Sequence, residues 1–301
     1  MICDAHCHFF SEGFFAALAW QRGRAESIED VTTFLGWEAP GGPEQLADRW
    51  VRELDGHNVQ RAAIIASVPR DEETAAAAVA RHPSRLTGFF MVDPAQADAT
   101  DRTRRGLADL GLKAACLFPA MHHVALDDVR TDRVLDVVAA HPGAAVFVHC
   151  GVLSVGVRKK LGLPSRFDVR LGNPLDLQPL ATAYPTVPFI VPHFGAGLFR
   201  ETLILADMCP NVYLDTSSSN GWIRYMPALT LEDVFRQAIA VVGPSRLLFG
   251  TDSSFFPRGW QASIHAEQKS ILDGLNVSAA DQRLIFGENF ERLFGDTVVG
   301  R

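Results

Sequence analysis

The chain has no run of about 18 apolar residues, the minimum for crossing a bilayer. Its first ten residues, MICDAHCHFF, are broken by Asp4, His6 and His8, so no secretory leader reads there. Positive charge is also short: 28 Lys and Arg against 35 Asp and Glu leave a formal net charge of -7 at pH 7. Such a chain has no reservoir of cations for wrapping a phosphate backbone, which excludes general nucleic-acid binding. Cysteine is scarce and odd in number, five in 301 residues. Cys3, Cys7, Cys116, Cys150 and Cys209 are scattered through apolar stretches and do not make a disulfide framework. Linkers, low-complexity segments and internal repeats are missing, so residues 1–301 read as a single domain. The expectation is a soluble, cytoplasmic protein that works on a small molecule, with no nucleic-acid and no membrane partner. One chain leaves a homodimer as an open option.

What is present is ample apolar mass, 48% of residues, with 21% charged, enough for a large core. Eight β-rich runs recur: MICDAH, then 61–67, 86–92, 112–118, 144–150, 187–193, 211–217 and 246–252. Several are apolar nearly throughout, as parallel strands covered on both faces are. Amphipathic stretches lie between them, among them 43–57, 72–82 and 231–243, and each ends near Gly, Pro or His. Eight strand–helix units in one chain predict an α/β fold, a (β/α)8 TIM barrel, over an open doubly wound sheet. Two connections exceed ordinary length, 9–42 after strand one and 151–173 after strand five. In a barrel both would lie over the mouth as lids.

Chemistry gathers at the ends of the apolar runs. Asp4, His6 and His8 alternate, which predicts one shared strand face, with Cys3, Ala5 and Cys7 on the other. A His-x-His pair at a strand end can grip one metal ion. His149 ends AAVFVHC, His193 ends VPFIVPH and Asp252 ends RLLFGTD. A lone terminal His is commonly a hydrogen-bonded structural residue and a lone terminal Asp a helix cap. Polar residues closing strands one, five, six and eight converge in a barrel, and that favours a joint site.

The motifs DAHCH, VHCG, PHFGAG and FGTDSSF, followed by IFGENFERLFG, resemble the amidohydrolase superfamily. Within it they resemble the amidohydrolase-related branch that includes aminocarboxymuconate semialdehyde decarboxylase. The resemblance runs from residue 2 to about 295 and implies a distorted (β/α)8 barrel. It further implies that His6, His8, His149 and Asp252 hold one divalent metal, most plausibly Zn2+. His193 would act as base and electrostatic partner beside the activated water. Three imidazoles and a carboxylate suit zinc and leave room for solvent, and an imidazole can shuttle a proton near neutral pH. Asp252 could instead be the base and His193 a ligand; the sequence does not separate these roles. Binuclear relatives carry a bridging carboxylated Lys or Glu at the end of strand four. Lys113 begins that strand here, so a single metal is expected.

Other residues have plainer alternatives. Arg258 and Trp260, just past Asp252, could clamp a substrate carboxylate and offer a flat wall with Phe255 and Phe256, or could serve packing. His122 and His123, after strand four, are candidates for substrate binding or simple surface imidazoles. Phe10, Phe14, Phe15, Phe118 and Phe194 fit a pocket or a core equally. The run Arg158, Lys159, Lys160 reads as a solvated loop or as a site for phosphate or carboxylate. NVYLDTSSSNG has no G-x-S-x-G elbow around its serines, so a supporting or substrate-bonding loop is expected after Asp215 and Thr216. His57, His82 and His141 fall at helix ends, and His265 is given no role.

Two enzymes use nearly these same residues. The first expectation is a hydrolase that directs activated water at a carboxylated ester, lactone or amide. The alternative is a non-oxidative decarboxylase of a small, aromatic or cyclic, carboxylic acid. A binding barrel without catalysis would be expected only if a ligand position had turned apolar, and none has.

Overall fold

The computed structural model describes residues 1–23, 26–218 and 220–295. Outside the described residues lie 24 and 25 of the first long connection, Ser219 of the serine run, and 296–301 at the end of the predicted domain. Eight parallel strands follow in chain order around one sheet: β1 (Cys3–Phe9), β2 (Arg61–Ala66), β3 (Leu86–Val92), β4 (Ala114–Leu117), β5 (Ala145–Val148), β6 (Phe189–Val191), β7 (Val212–Asp215) and β8 (Leu247–Leu248). The seam between β8 and β1 is not a strand ladder. Residues 249–253 leave β8 and run beside β1, with Ala5 N–H donating to Phe249 O (2.8 Å), Asp252 N–H to His6 O (2.9 Å) and His8 N–H to Ser253 O (2.7 Å). The result is a nearly closed (β/α)8 barrel, distorted at this seam, in a single domain.

The three helices read from periodicity form at Pro43–Gly56, Glu72–Arg81 and Leu231–Val242. Pro43 pre-sets the first turn of one; Thr230 and Asp233 form a capping box at the start of another. Leu46, Trp50 and Leu54 recur on the face of Pro43–Gly56 that packs on the sheet.

The last three strands are shorter than their apolar runs. After β6 and β8 the chain abandons extended backbone: His193, Phe194 and Asp252 sit at φ of 55°, 52° and 58°, a region that costs energy for residues with a Cβ and recurs at functional sites. Lys113 stands exposed just ahead of β4, at the end of the barrel away from the mouth.

β1 departs from simple alternation, and this corrects the expected single stripe. Its register with β2 shifts between Asp4 and Cys7. Cys3 and Ala5 pack inside the barrel with Ile65, Phe89 and Phe147, whereas Cys7 and Phe9 pack outward with Trp50 and Leu54. One extra residue in a strand flips every side chain beyond it. His6 and His8 therefore face the interior, and Asp4 faces the helix layer.

The two long connections hold short helices, Glu12–Gln21 and Ile28–Leu35 in the first and Gly156–Lys160 in the second. Phe14, Phe15, Leu18 and Val31 of the first pack on Val157 and Leu161 of the second in an apolar cluster of their own. The two predicted lids thus form one roof. Among the described residues no helix is long and apolar enough to cross a membrane.

Candidate metal centre

His6 and His8 project from β1 with their Nε2 atoms 3.4 Å apart. The opposite nitrogen of each ring is held from behind. His6 Nδ1 donates to Asp215 Oδ2 at 2.6 Å, where β7 ends. His8 Nδ1 lies 2.8 Å from Ser67 Oγ, and that hydroxyl already donates to Ile65 O at 2.9 Å, so it accepts from His8. Both imidazoles are thereby set with the proton on Nδ1 and a lone pair on Nε2. Those lone pairs meet Asp252, whose Oδ1 is 3.2 Å from His8 Nε2 and 3.7 Å from His6 Nε2. Two nitrogen lone pairs and a carboxylate oxygen, all within 4.8 Å of one another, are three acceptors in search of a cation.

His149, directly after β5, is 6% exposed, and its Nδ1 is shielded with no hydrogen-bond partner among the described residues. A buried imidazole nitrogen left without a partner is costly, and a metal ion is a partner of the right kind. Its ring centroid lies 5.4 Å from that of His193, which in turn lies 5.0 Å from that of His6. Ser217 Oγ approaches His193 Nδ1 at 2.9 Å and His6 Nδ1 at 3.0 Å, and Ser217 N–H is fixed on Asp215 Oδ1 at 2.6 Å. One short segment after β7 thus braces two imidazoles. The backbones beyond His149 and His193 touch: a Cβ on Gly151, at φ 72°, would collide with the carbonyl oxygens of Gly195 and Ala196, so only glycine fits.

Burial opposes charge on Asp252, yet the hydrogen bond to His8 and the surrounding imidazoles hold its carboxyl well below the usual carboxylate range. Burial pushes His8, His149 and His193 below the ordinary imidazole value. His6 goes the other way: burial lowers it, but Asp215, Asp252 and Asp4 together raise it further. Neutral imidazoles at His8 and His149 beside an ionised Asp252 are protonation states a divalent ion needs.

These residues form the floor of a cavity of about 990 Å³ lined also by Phe10, Trp37, Phe118 and Phe255. His123 and Arg258 line it as well, and Arg258 Nη2 donates to Asp252 O (3.2 Å) and Ser254 Oγ (2.7 Å). Two residues expected to bind substrate sit elsewhere. His122 is half-buried outside the cavity wall, because it and His123 leave a one-turn helix in different directions. Trp260 is 4% exposed and its Nε1 donates to Asp4 Oδ2 at 2.7 Å. Asp4 also accepts from His6 N–H (2.9 Å), Thr251 N–H (3.1 Å) and Thr251 Oγ1 (2.5 Å), which ties β1 to the seam. Burial raises its carboxyl above the ordinary value, and hydrogen bonds from Thr251, the His6 N–H, Trp260 and the Cys7 thiol counter that. The roles of Asp4, Ser67, Asp215 and Ser217 were not read from sequence. For Asp215 the signal existed: it ends an apolar run as Asp252 does.

A family model described as amidohydrolase matches residues 3–295. Protein fluG of Emericella nidulans is 29% identical over 170 residues, which cover 55% of this chain and 18% of that protein's length. The chain thus matches less than a fifth of this curated relative. The barrel superposes on the 5-carboxyvanillate decarboxylase of Novosphingobium aromaticivorans, solved with bound manganese and 3-methoxy-4-hydroxy-5-nitrobenzoic acid, with TM-score 0.64, 15% identity, and 98% and 97% of the two chains covered. It likewise superposes on a probable 2-pyrone-4,6-dicarboxylic acid hydrolase of Acinetobacter baumannii with bound citric acid, with TM-score 0.62, 15% identity, and 98% and 99% covered.

Proposed function

Because the chain belongs to the amidohydrolase family, we propose that it is a metal-dependent hydrolase of a small carboxylated ester, lactone or amide. The observation that carries this reading is the convergence of His6 Nε2, His8 Nε2 and Asp252 Oδ1 on the cavity floor, with His193 beside them. His6, His8, His149 and Asp252 would hold one divalent ion, zinc by the chemistry of the donors. Such an ion supplies a Lewis acid that acidifies water and polarises a carbonyl oxygen.

The protein's own groups do the rest. Asp215 and Ser67 keep the lone pairs of His6 and His8 on the cavity side. Ser217 holds His193 by Nδ1, which leaves Nε2 to take a proton from the attacking water and return it to the leaving oxygen or nitrogen as the acyl bond breaks. Arg258 binds a substrate carboxylate.

Decarboxylation is the second reading, favoured by the hydrogen bond from Arg258 to the Asp252 carbonyl. A guanidinium so close to the ligand set would orient a carboxylate at the reacting centre. The carbon–carboxylate bond would break, carbon dioxide would leave, and the carbon would take a proton from His193 or water. The test is a panel of lactones, esters, amides and aromatic carboxylates offered to zinc-loaded and manganese-loaded protein. Acid release without carbon dioxide supports hydrolysis. Carbon dioxide without hydrolysis reverses the ranking, and silence from protein with full metal content removes both.

A further inference from the structure

Among the described residues, four cations on the cavity wall have no acidic partner. Many arginines of the outer surface are paired, among them Arg61 with Glu291 at 2.9 Å, Arg81 with Asp48 at 3.0 Å and Arg85 with Asp55 at 2.6 Å. Arg158, Lys160, Arg166 and Arg224 line the cavity, and none of them forms an ion pair among the described residues. Among the described residues the one acid on that wall is Asp252, already committed to the floor. In a chain of net charge -7, leaving these cations unpaired concentrates positive potential at the mouth.

Arg158 and Lys160 are also held in place. Arg158 donates to Gln21 Oε1 across the roof and to Pro164 O at 2.7 Å, and its Nε is shielded from solvent without a partner among the described residues. Lys160 Nζ lies 5.5 Å from the Trp37 ring and 5.9 Å from the Phe255 ring, and those two rings are stacked at 3.8 Å. Arg258 lies 4.5 Å from the same Phe255 ring and is bonded to the Asp252 carbonyl. An inner cation beside the floor is thus separated from an outer one by a single aromatic stack. A cavity of about 990 Å³ lies at the top of the usual range for small-molecule sites, with more room than a single-ring acid fills.

We propose that the insertion after β5 carries an outer anion subsite, built by Arg158 and Lys160 and flanked by Arg166 and Arg224. It takes a second oxyanion, carboxylate or phosphate, at the far end of a substrate whose reacting group lies on the floor. This rests on reading the floor as the reacting centre. The substrate class becomes an extended dianion, and Trp37 and Phe255 contact the segment between its two charged ends.

The test measures binding to zinc-loaded protein by calorimetry, so that turnover is not needed. The probes are octanoate, suberate and the ω-phosphono analogue of octanoate, whose flexible chains adapt to the span. The expected result is that at least one dianion binds about tenfold or more tightly than octanoate at low salt. The double variant Arg158→Ala, Lys160→Ala should bring that dianion to the octanoate level and leave octanoate within about twofold. The pair Arg158→Lys, Lys160→Arg should restore most of the preference, which separates a charge effect from misfolding. Whichever dianion binds more tightly identifies the anion. Equal affinities in the wild type, failure of both dianions to bind, or a dianion preference untouched by the double variant overturns the subsite. A protein inactive on every ester, lactone, amide and aromatic acid that still prefers a dianion keeps the subsite and loses the hydrolase reading.

Discussion

Asp215 Oδ2 accepts the Nδ1 proton of His6 at 2.6 Å in a pocket closed to solvent, and this pair decides which nitrogen of His6 faces the cavity. The carboxylate touches neither the floor nor the substrate space, so its effect passes through the imidazole. Asp215→Asn removes the charge and lets the ring choose its tautomer. The expected outcome is a loss of about 10- to 100-fold in metal affinity with the fold intact. Competition titration against a chelator, with circular dichroism as the fold control, checks it; unchanged affinity would show that His6 needs no brace.

His149 and His193 stand beside each other yet should respond differently. His149→Ala removes the unpartnered Nδ1 and should strip metal and activity together. His193→Ala removes a group held by Ser217, and should keep most of the metal while turnover falls by about 10²- to 10⁴-fold. Elemental analysis beside kcat distinguishes them. Full rate in either variant contradicts the role given to it.

Most of the barrel was legible because parallel strands covered on both faces leave long apolar runs, and because His6, His8, His149, His193 and Asp252 interrupt those runs at the ends that meet. The rest depended on distances along the chain that no run displays. The bulge in β1 arises from the register with Arg61–Ala66 and from residues 249–253 packing beside it, so Asp4 reads as a ligand neighbour until its face is known. Trp260 then follows, since its direction is set by Asp4. His122 and His123 are adjacent in sequence, and only the turn between them sends one to the cavity and the other away. Asp215 was visible as the last residue of an apolar run but was absorbed into the hydroxyl-rich segment that follows it.

Trp260 offers a test of that correction. Trp260→Phe keeps the ring in the outer core and removes one of the donors to Asp4. Weakening the solvation of a buried carboxylate should cost about 1–3 kcal/mol of stability, read as a lower urea midpoint. KM and metal content should not move. A raised KM at unchanged stability would return Trp260 to the substrate.

The pH dependence of the metal-free protein follows from the same imidazoles. His8, His149 and His193 have values pushed down by burial. Below about pH 6.5 the unfolded chain protonates at these positions and the folded one does not. The unfolded state then binds more protons, so stability falls as pH falls. His6, raised by Asp215, Asp252 and Asp4 against the pull of burial, acts oppositely: its contribution is present below the unfolded value and is lost as pH rises through the folded one. The three lowered imidazoles destabilise the fold as pH falls from 7 to 5, and His6 and the raised Asp4 carboxyl oppose them. His149→Phe deletes one of the three and keeps an aromatic ring against Phe118, on which His149 stacks at 5.5 Å. After chelation, acidification should lower the urea midpoint of the wild type relative to that of His149→Phe. Parallel responses in the two proteins would mean that His149 is protonated as readily folded as unfolded, and that its buried nitrogen has found a partner other than a metal.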